Sequence, residues 1–226
     1  MKLRTEPIII AIDGPAGAGK STISKLLAQK FDFTLIDTGA LYRCVALLCQ
    51  RENFLFDSSE VDETKLKDLI TSHTFHFQFT DTNHIFIDSE DVTHLIRNPD
   101  ISLFASKVSA HSTVREELLV LQRSMGYHDP KGVVLEGRDI GTVVFPDADI
   151  KFFLTATPEI RAQRRLEEYR DLKNSPTYQE CLNDIITRDK NDRERLIAPL
   201  KKADDAIEID TSNLRLQEIL TCLETH

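Results

Sequence analysis

Ile8-Ile9-Ile10-Ala11-Ile12-Asp13-Gly14-Pro15-Ala16-Gly17-Ala18-Gly19-Lys20-Ser21-Thr22 is the stretch that decides how this chain folds. Five apolar residues in a row, Ile8 to Ile12, have the length and continuity of a strand buried on both faces. Gly14 to Ser21 then fits G-x-x-x-x-G-K-[ST], and Ile23, Leu26, Leu27 and Phe31 recur at helical spacing behind it. Strand, glycine loop and helix together let successive backbone N–H groups point at phosphate oxygens from the helix N-terminus. Lys20 adds a point charge near the outer phosphates, Ser21 offers a hydroxyl to Mg²⁺, and Thr22 carries the run of donors into the helix. A glycine-rich turn without a ligand would not explain a lysine followed by a hydroxyl. Gly14, Pro15, Ala16, Gly17, Ala18, Gly19, Lys20, Ser21 and Thr22 are therefore assigned to nucleotide phosphates, and Ser21 also to the metal.

Four more apolar runs, Phe33 to Ile36, Val133 to Leu135, Ile150 to Leu154 and Ala206 to Ile209, have the same strand character. Helical patterns separate most of them. Thr157 before Pro158 and Ser175 before Pro176 each set a capping hydroxyl ahead of a proline at the first helical position, and Leu216, Ile219, Leu220 and Leu223 predict a last helix. The alternation predicts an α/β fold with a parallel five-stranded sheet flanked by helices. The interval from about 57 to 130 breaks the rhythm. Phe75, Phe77 and Phe79 alternate with polar residues, Asp81 to Asn83 offers a turn, and Ile85 and Ile87 alternate again, which predicts a small antiparallel sheet inside an inserted sub-domain.

The 226 residues suit one domain with an insert, or at most two. Hydrophobic residues at 41% exclude disorder as the main state, and a net charge of −9 argues against a nucleic-acid coat. An anionic small molecule then needs local arginines. Cys44, Cys49, Cys181 and Cys222 show no C-x-x-C spacing, so they read as reduced thiols without zinc, and Ile8 to Ile12 is too short for a membrane span or a signal core. A cytoplasmic location is expected.

The arginines stand where strands end. Asp37-Thr38-Gly39-Ala40-Leu41-Tyr42-Arg43 follows the second strand and opens a helix, so Thr38 could donate to an anion and Arg43 could fork onto it, with a plain surface arginine as the alternative. Glu136-Gly137-Arg138-Asp139 follows the third strand, placing Arg138 at the phosphate-loop edge of the sheet; Asp139 could merely pair with its neighbour. Arg188, Asp192 and Arg195 share one helix face, for which a solvated salt-bridge face is the ordinary reading. Arg161, Arg164 and Arg165 follow Pro158 and could simply face solvent, while Asp171 to Ser175 forms a polar connector suited to a closing lid. Taken together, four arginine groups around one phosphate loop fit phosphoryl transfer, which needs positive charge and alignment rather than a covalent nucleophile. A GTPase is disfavoured because no N-K-x-D is present, and the D-x-x-G at Asp129 to Gly132 precedes a strand instead of following one.

These residues resemble the bacterial-type cytidylate kinase family. The resemblance rests on Ile12-Asp13-Gly14-Pro15, on Asp37 to Arg43, on Gly137-Arg138-Asp139-Ile140-Gly141-Thr142-Val143-Val144-Phe145-Pro146-Asp147-Ala148, and on Arg188-Asp189, Asp192, Arg195, Ala198-Pro199-Leu200 and Asp204-Asp205-Ala206. It implies a P-loop fold with a core (about 7–56, 131–160 and 200–226), a nucleoside-monophosphate insert (57–130) and a short lid with flanking helices (161–199). It also implies ATP and CMP or dCMP as substrates, Mg²⁺ as cofactor, no nucleic-acid or membrane partner, and a monomer. By the family's pattern Arg43, Arg138 and Arg195 hold the CMP phosphate, with Thr38 and Tyr42 beside it, and Arg188 and Asp192 reach the sugar. The same resemblance implies that Ser106, Arg115 and Asp139 would read cytosine and that Lys20, Arg138, Arg188 and Arg195 would be the catalytic cations; Arg164 is assigned to ATP by its placement. Ser106 and Arg115 are nine residues apart, so both can face one base only if the helix breaks between them, and Thr113 to Glu116 has the spacing of a capping box. A kinase for another acceptor such as UMP or shikimate, or a nucleotide switch without turnover, is the alternative.

Overall fold

The computed structural model describes residues 6–54, 61–79, 83–170, 175–215, 218, 219 and 221. Its strands are β1 (Ile8–Asp13), β2 (Thr34–Asp37), β3 (Phe75–Gln78), β4 (His84–Ile87), β5 (Glu90–Asp91), β6 (Gly132–Gly137), β7 (Ile150–Thr155) and β8 (Ile207–Asp210). The helices are α1 (Lys20–Phe31), α2 (Gly39–Arg51), α3 (Glu63–Thr71), α4 (Pro99–Val108), α5 (Ser112–Met125), α6 (Pro158–Glu168) and α7 (Tyr178–Glu194). Two compact units divide the chain: Met1–Ile36 with Gly126–His226, and Asp37–Met125.

The first unit is built on a five-stranded sheet of order β2-β6-β1-β7-β8, with β1–β6, β1–β7 and β7–β8 all parallel. All five apolar runs became its strands. Ile9 to Ile12 of β1 are all buried, so neither face of the strand meets water, which is why it reads as unbroken isoleucine and alanine rather than as an alternation. Ile10, Ile12, Val134, Phe152 and Leu154 pack with Ile23, Leu27 and Ala28 of α1 in one buried cluster that also takes in Ile209 and Ile219. Full burial of such a side chain contributes about 1.5–3 kcal/mol. The remaining leucines of the expected last helix, Leu216, Leu220 and Leu223, lie outside the described residues.

In the second unit β3 and β4 pair antiparallel with Phe75 opposite Ile87 and Phe77 opposite Ile85, as the alternation predicts, and β5 adds a third strand. Two acidic residues are too few for a periodic signal, so β5 left no trace in the sequence reading. The expected turn falls partly on residues 81 and 82, outside the described residues.

Helix starts were legible where a hydroxyl precedes a proline, with one correction. Thr157 accepts from the Ile160 amide and caps α6. Ser175 does not cap α7. Thr177 does, accepting from the Glu180 amide while the Glu180 carboxylate accepts from the Thr177 amide, and the Ser175 hydroxyl instead donates to the carbonyls of Tyr169 and Arg170. The reciprocal pair satisfies two end amides at once, whereas a cap at Ser175 satisfies one. Similarly, α5 begins at Ser112, so Thr113 lies inside the first turn rather than at the cap, although the helix break between Ser106 and Arg115 is real.

Replacing Thr177 by Ala should cost about 1 kcal/mol of unfolding free energy in urea. Ser175→Ala should cost less, because water can serve the carbonyls it leaves. The reverse order would put the cap back at Ser175.

Candidate active site

β1 ends at Asp13 and the chain turns sharply at Gly14, whose φ of 148° is unfavourable for any residue with a Cβ. A Cβ there would also lie 2.0 Å from the Leu154 carbonyl oxygen of β7, so the loop leaves the sheet only because residue 14 has no side chain. Gly19, with φ 86°, then opens α1. Lys20 is buried, and its Nζ donates to the carbonyls of Gly14 and Pro15 at 2.8 Å each, lying across the loop that the backbone forms. Ser21 and Thr22 are exposed on the first turn.

Burial pulls the Lys20 ammonium down to about pKa 7; the nearby Arg138 adds to this, and Glu136, Asp13 and Asp192 oppose it. Gly137 lies in register with Asp13, so Arg138 follows the end of β6 beside the start of the phosphate loop, where the strand order leads one to expect it. Arg138 Nε donates to Asp192 at 3.0 Å, not to its neighbour Asp139. Asp139 instead faces Arg195 at 3.8 Å, and Arg195 also lies 3.9 Å from Asp192 while its Nε donates to the Ala198 carbonyl at 2.7 Å. Arg195 caps the C-terminus of α7 and does not belong to it. Arg188, Asp192 and Arg195 therefore do not form a solvated face: Asp192 is 6% exposed, the Arg195 side chain 5%, and the buried Arg188 Nε has no hydrogen-bond partner among the described residues. Burial, then Arg165 and Arg138, bring Arg188 down to about pKa 10. Burial alone would raise Asp192, yet Arg138, Arg195 and Arg188 together hold its carboxyl below the usual range. Several guanidiniums thus share few carboxylates, and such an excess of buried positive charge is relieved by an anion.

The arginines after Pro158 do not face solvent. Arg161 is 1% exposed and donates twice to Asp189, at 2.8 and 2.5 Å, and once each to the carbonyls of Ala156 and Ala16. It braces the phosphate loop from behind, because Ala16 belongs to that loop. Arg164 reaches the Gly17 carbonyl at 3.4 Å and both oxygens of Thr211, and Thr211 in turn donates from its hydroxyl toward Ala18 and Thr155 carbonyls. Arg165 lies over the Tyr169 ring at 5.1 Å. Residues 171–174, the expected tip of a lid, lie outside the described residues. Asp13, Arg161, Asp189 and Thr211 were not assigned from sequence. An aspartate closing an all-apolar strand was the one available signal, since a charge at the end of a buried strand needs donors.

The second unit holds the other expected residues. Thr38 is buried at the start of α2, and Arg43, one turn on, pairs with Asp37 at 2.5 Å with its side chain 24% exposed. The break after α4 lets Arg115 of α5 turn back so that it donates to the Ser109 carbonyl at 3.1 Å, while the Ser109 hydroxyl donates to the Ser106 carbonyl. Arg115 also lies over the Tyr42 ring at 5.4 Å, and the buried Ser106 hydroxyl has no partner among the described residues.

The sheet, the phosphate loop at the end of its central strand and the cationic set beside that loop define a P-loop nucleotide-binding enzyme of the phosphotransferase kind. The profile of the cytidylate kinase family matches residues 10–225. Proteins named cytidylate kinase from Caldicellulosiruptor bescii and Clostridium acetobutylicum are 46% and 48% identical to this chain. The first covers 94% of this chain and 92% of its own length, the second 93% of each. A third, from a Geobacter species, is 44% identical over 98% of this chain and 93% of its own length. The chain belongs to the cytidylate kinase family and is a nucleoside monophosphate kinase. Among the described residues no helix is long and apolar enough to cross a membrane.

Arg161→Met should strand Asp189 as a buried unpaired charge and cost about 3–5 kcal/mol, read in thermal unfolding. Removing both charges, Arg161→Met with Asp189→Leu, should recover much of that loss. A double variant as unstable as the single one would show that packing, not the ion pair, is at stake.

Proposed function

We propose that this enzyme transfers the γ-phosphoryl group of ATP to CMP or dCMP, giving ADP and CDP or dCDP, by in-line attack without a covalent intermediate. The observation that carries the proposal is the inward-turned set Arg138, Arg188 and Arg195 around Asp192, close enough to the phosphate loop for Arg138 to depress Lys20. Loop amides, Lys20 and Arg164 hold the donor. Lys20, Arg138, Arg188 and Arg195 offset the charge that develops on the transferring group, while positioning supplies much of the remaining acceleration.

The acceptor is assigned residue by residue. Arg43, Arg138 and Arg195, with Thr38 and Tyr42, take the CMP phosphate; Arg188 and Asp192 take the sugar; Ser106, Arg115 and Asp139 take the cytosine edge. A base lacking the matching donors would leave such buried groups unpaired, at about 1–3 kcal/mol each, or roughly tenfold to a hundredfold in discrimination. The short lid within the interval 161–199, which also holds its flanking helices, is assigned to excluding water during transfer, and the enzyme to acting as a monomer in the cytoplasm.

Mg²⁺ fits the donor set as a companion of the nucleotide. Ser21 presents a hard hydroxyl oxygen on the exposed first turn of α1, and no group of three or more His, Cys, Asp or Glu side chains among the described residues offers an all-protein cage. When bound there, the ion would offset phosphate charge. Ser21 would hold it.

Turnover measured side by side with CMP, dCMP, UMP and AMP should favour the two cytidylates. AMP or UMP as the best acceptor would overturn the assignment. Lys20→Ala should lower kcat on the order of a hundredfold or more with the fold intact, and equal activity would exclude phosphoryl transfer at this loop. Because Lys20 is held near pKa 7 and a triphosphate restores its charge, ATP binding at pH 8 should take up protons. Calorimetry in two buffers of different ionisation enthalpy reads that uptake, and Lys20→Met should abolish it.

A further inference from the structure

Asp13 belongs neither to the phosphate loop nor to the arginine set, yet it precedes Gly14 in the chain and bonds the amides just beyond Arg138 and Asp139. It is the last residue of β1, 4% exposed, and lies in register with Gly137 of the neighbouring β6. Beyond Gly137 the chain carries Arg138 and Asp139 and then makes one wide turn over Ile140–Val144, in which the amides of Val144 and Phe145 bond five residues back. Asp139 stands at the N-cap of that turn and makes no side-chain cap of its own. Asp13 does the capping from the adjacent strand: its Oδ1 accepts from the Ile140 amide and its Oδ2 from the Gly141 amide, both at 2.8 Å.

An aspartate at an N-cap ordinarily bends back to accept the first amides of its own turn. Here that need is met from outside, and the Asp139 carboxylate is turned toward Arg195 instead. A Cβ at Gly141 would press on the Lys151 side chain at 3.1 Å and meet Asp13 Oδ2 at an ordinary contact distance of 3.5 Å. We infer that Asp13 is a positioning residue for the acceptor side of the reaction: by capping the 140–144 turn across the sheet it sets where Arg138 and Asp139 point. The inference rests on the proposed role of those two residues in holding CMP.

The groups around Asp13 support an anchor over a proton carrier. Burial raises its carboxyl to about pKa 6, and Asp139 pushes the same way, while the two amides and Lys20 oppose. Ionised, it offers two acceptor oxygens to two amides. Asparagine offers one, and turns an NH₂ toward the other amide. Because burial already disfavours the charge, the neutral isostere should fold.

The test is steady-state kinetics of Asp13→Asn, Asp13→Ala and Arg138→Met, each with both substrates varied. Asp13→Asn should raise KM for CMP about tenfold, from the loss of one buried hydrogen bond, and leave KM for ATP within about twofold. Asp13→Ala, which removes both acceptors, should raise it further, and hydrogen exchange across 138–144 should quicken in each while that of α1 does not. Parallel rises in both KM values, or a CMP value that stays put while Arg138→Met raises it, would overturn the inference. If Arg138→Met itself leaves KM for CMP unchanged, the acceptor assignment fails and takes this role with it. If the alanine variant does not fold, the asparagine variant decides alone.

Discussion

One strand hydrogen-bonded along both edges is the constraint from which the rest of the catalytic unit follows. β1 lies between β6 and β7, so its end, the end of β6 and the end of β7 emerge together at one margin of the sheet. A parallel sheet sends all its strands the same way, and the turns that leave it are therefore neighbours in space however far apart they are in sequence. Gly14 leaves from β1, Arg138 from β6, and the segment that becomes α6 from β7. Were β1 at an edge, the phosphate loop would lose one of these two flanks.

The second theme is charge balance in a dry place. The phosphate-loop margin gathers Lys20, Arg138, Arg165, Arg188 and Arg195, while Glu136, Asp139 and Asp192 supply the opposing charge. Arg161, the architectural guanidinium, places four of its five N–H donors, on both oxygens of Asp189 and on two carbonyls. Arg188 differs, with a buried Nε that no described residue serves. Buried cations without full partners are costly unless something anionic completes them. Arg161 and Arg188, two arginines on helices that pack on each other, thus differ in how far the protein itself serves them.

Much of this was legible before any coordinates. The apolar runs marked all five strands of the parallel sheet, most plainly β1 and β6, which are buried on both faces, whereas the edge strand β8 exposes Glu208 and Asp210. The glycine–lysine–hydroxyl loop was legible because few other functions require those residues at those spacings. The Phe75–Ile87 hairpin announced itself by alternation. Caps were less secure: Ser175-Pro176 has the hydroxyl and proline of a helix start, yet the reciprocal bonds of Thr177 and Glu180 set the cap two residues on. Arg161, Arg164 and Arg165 read alike in sequence, yet one is a buried brace, one reaches across to Thr211, and one lies over Tyr169.

The sequence by itself determined most of the elements and the chemistry they carry, though not β5 or every helix cap, since local spacing sets strand, loop and helix, and residue type sets charge and hydrogen-bonding capacity. Tertiary structure alone decided the pairings: Arg138 with Asp192 across 54 residues, Asp13 with the amides at 140 and 141 across more than a hundred. Such contacts are fixed by the order in which strands lie in the sheet and by where the helices pack beside it. No local pattern encodes that order, because it is set by which buried faces fit together once the whole unit closes.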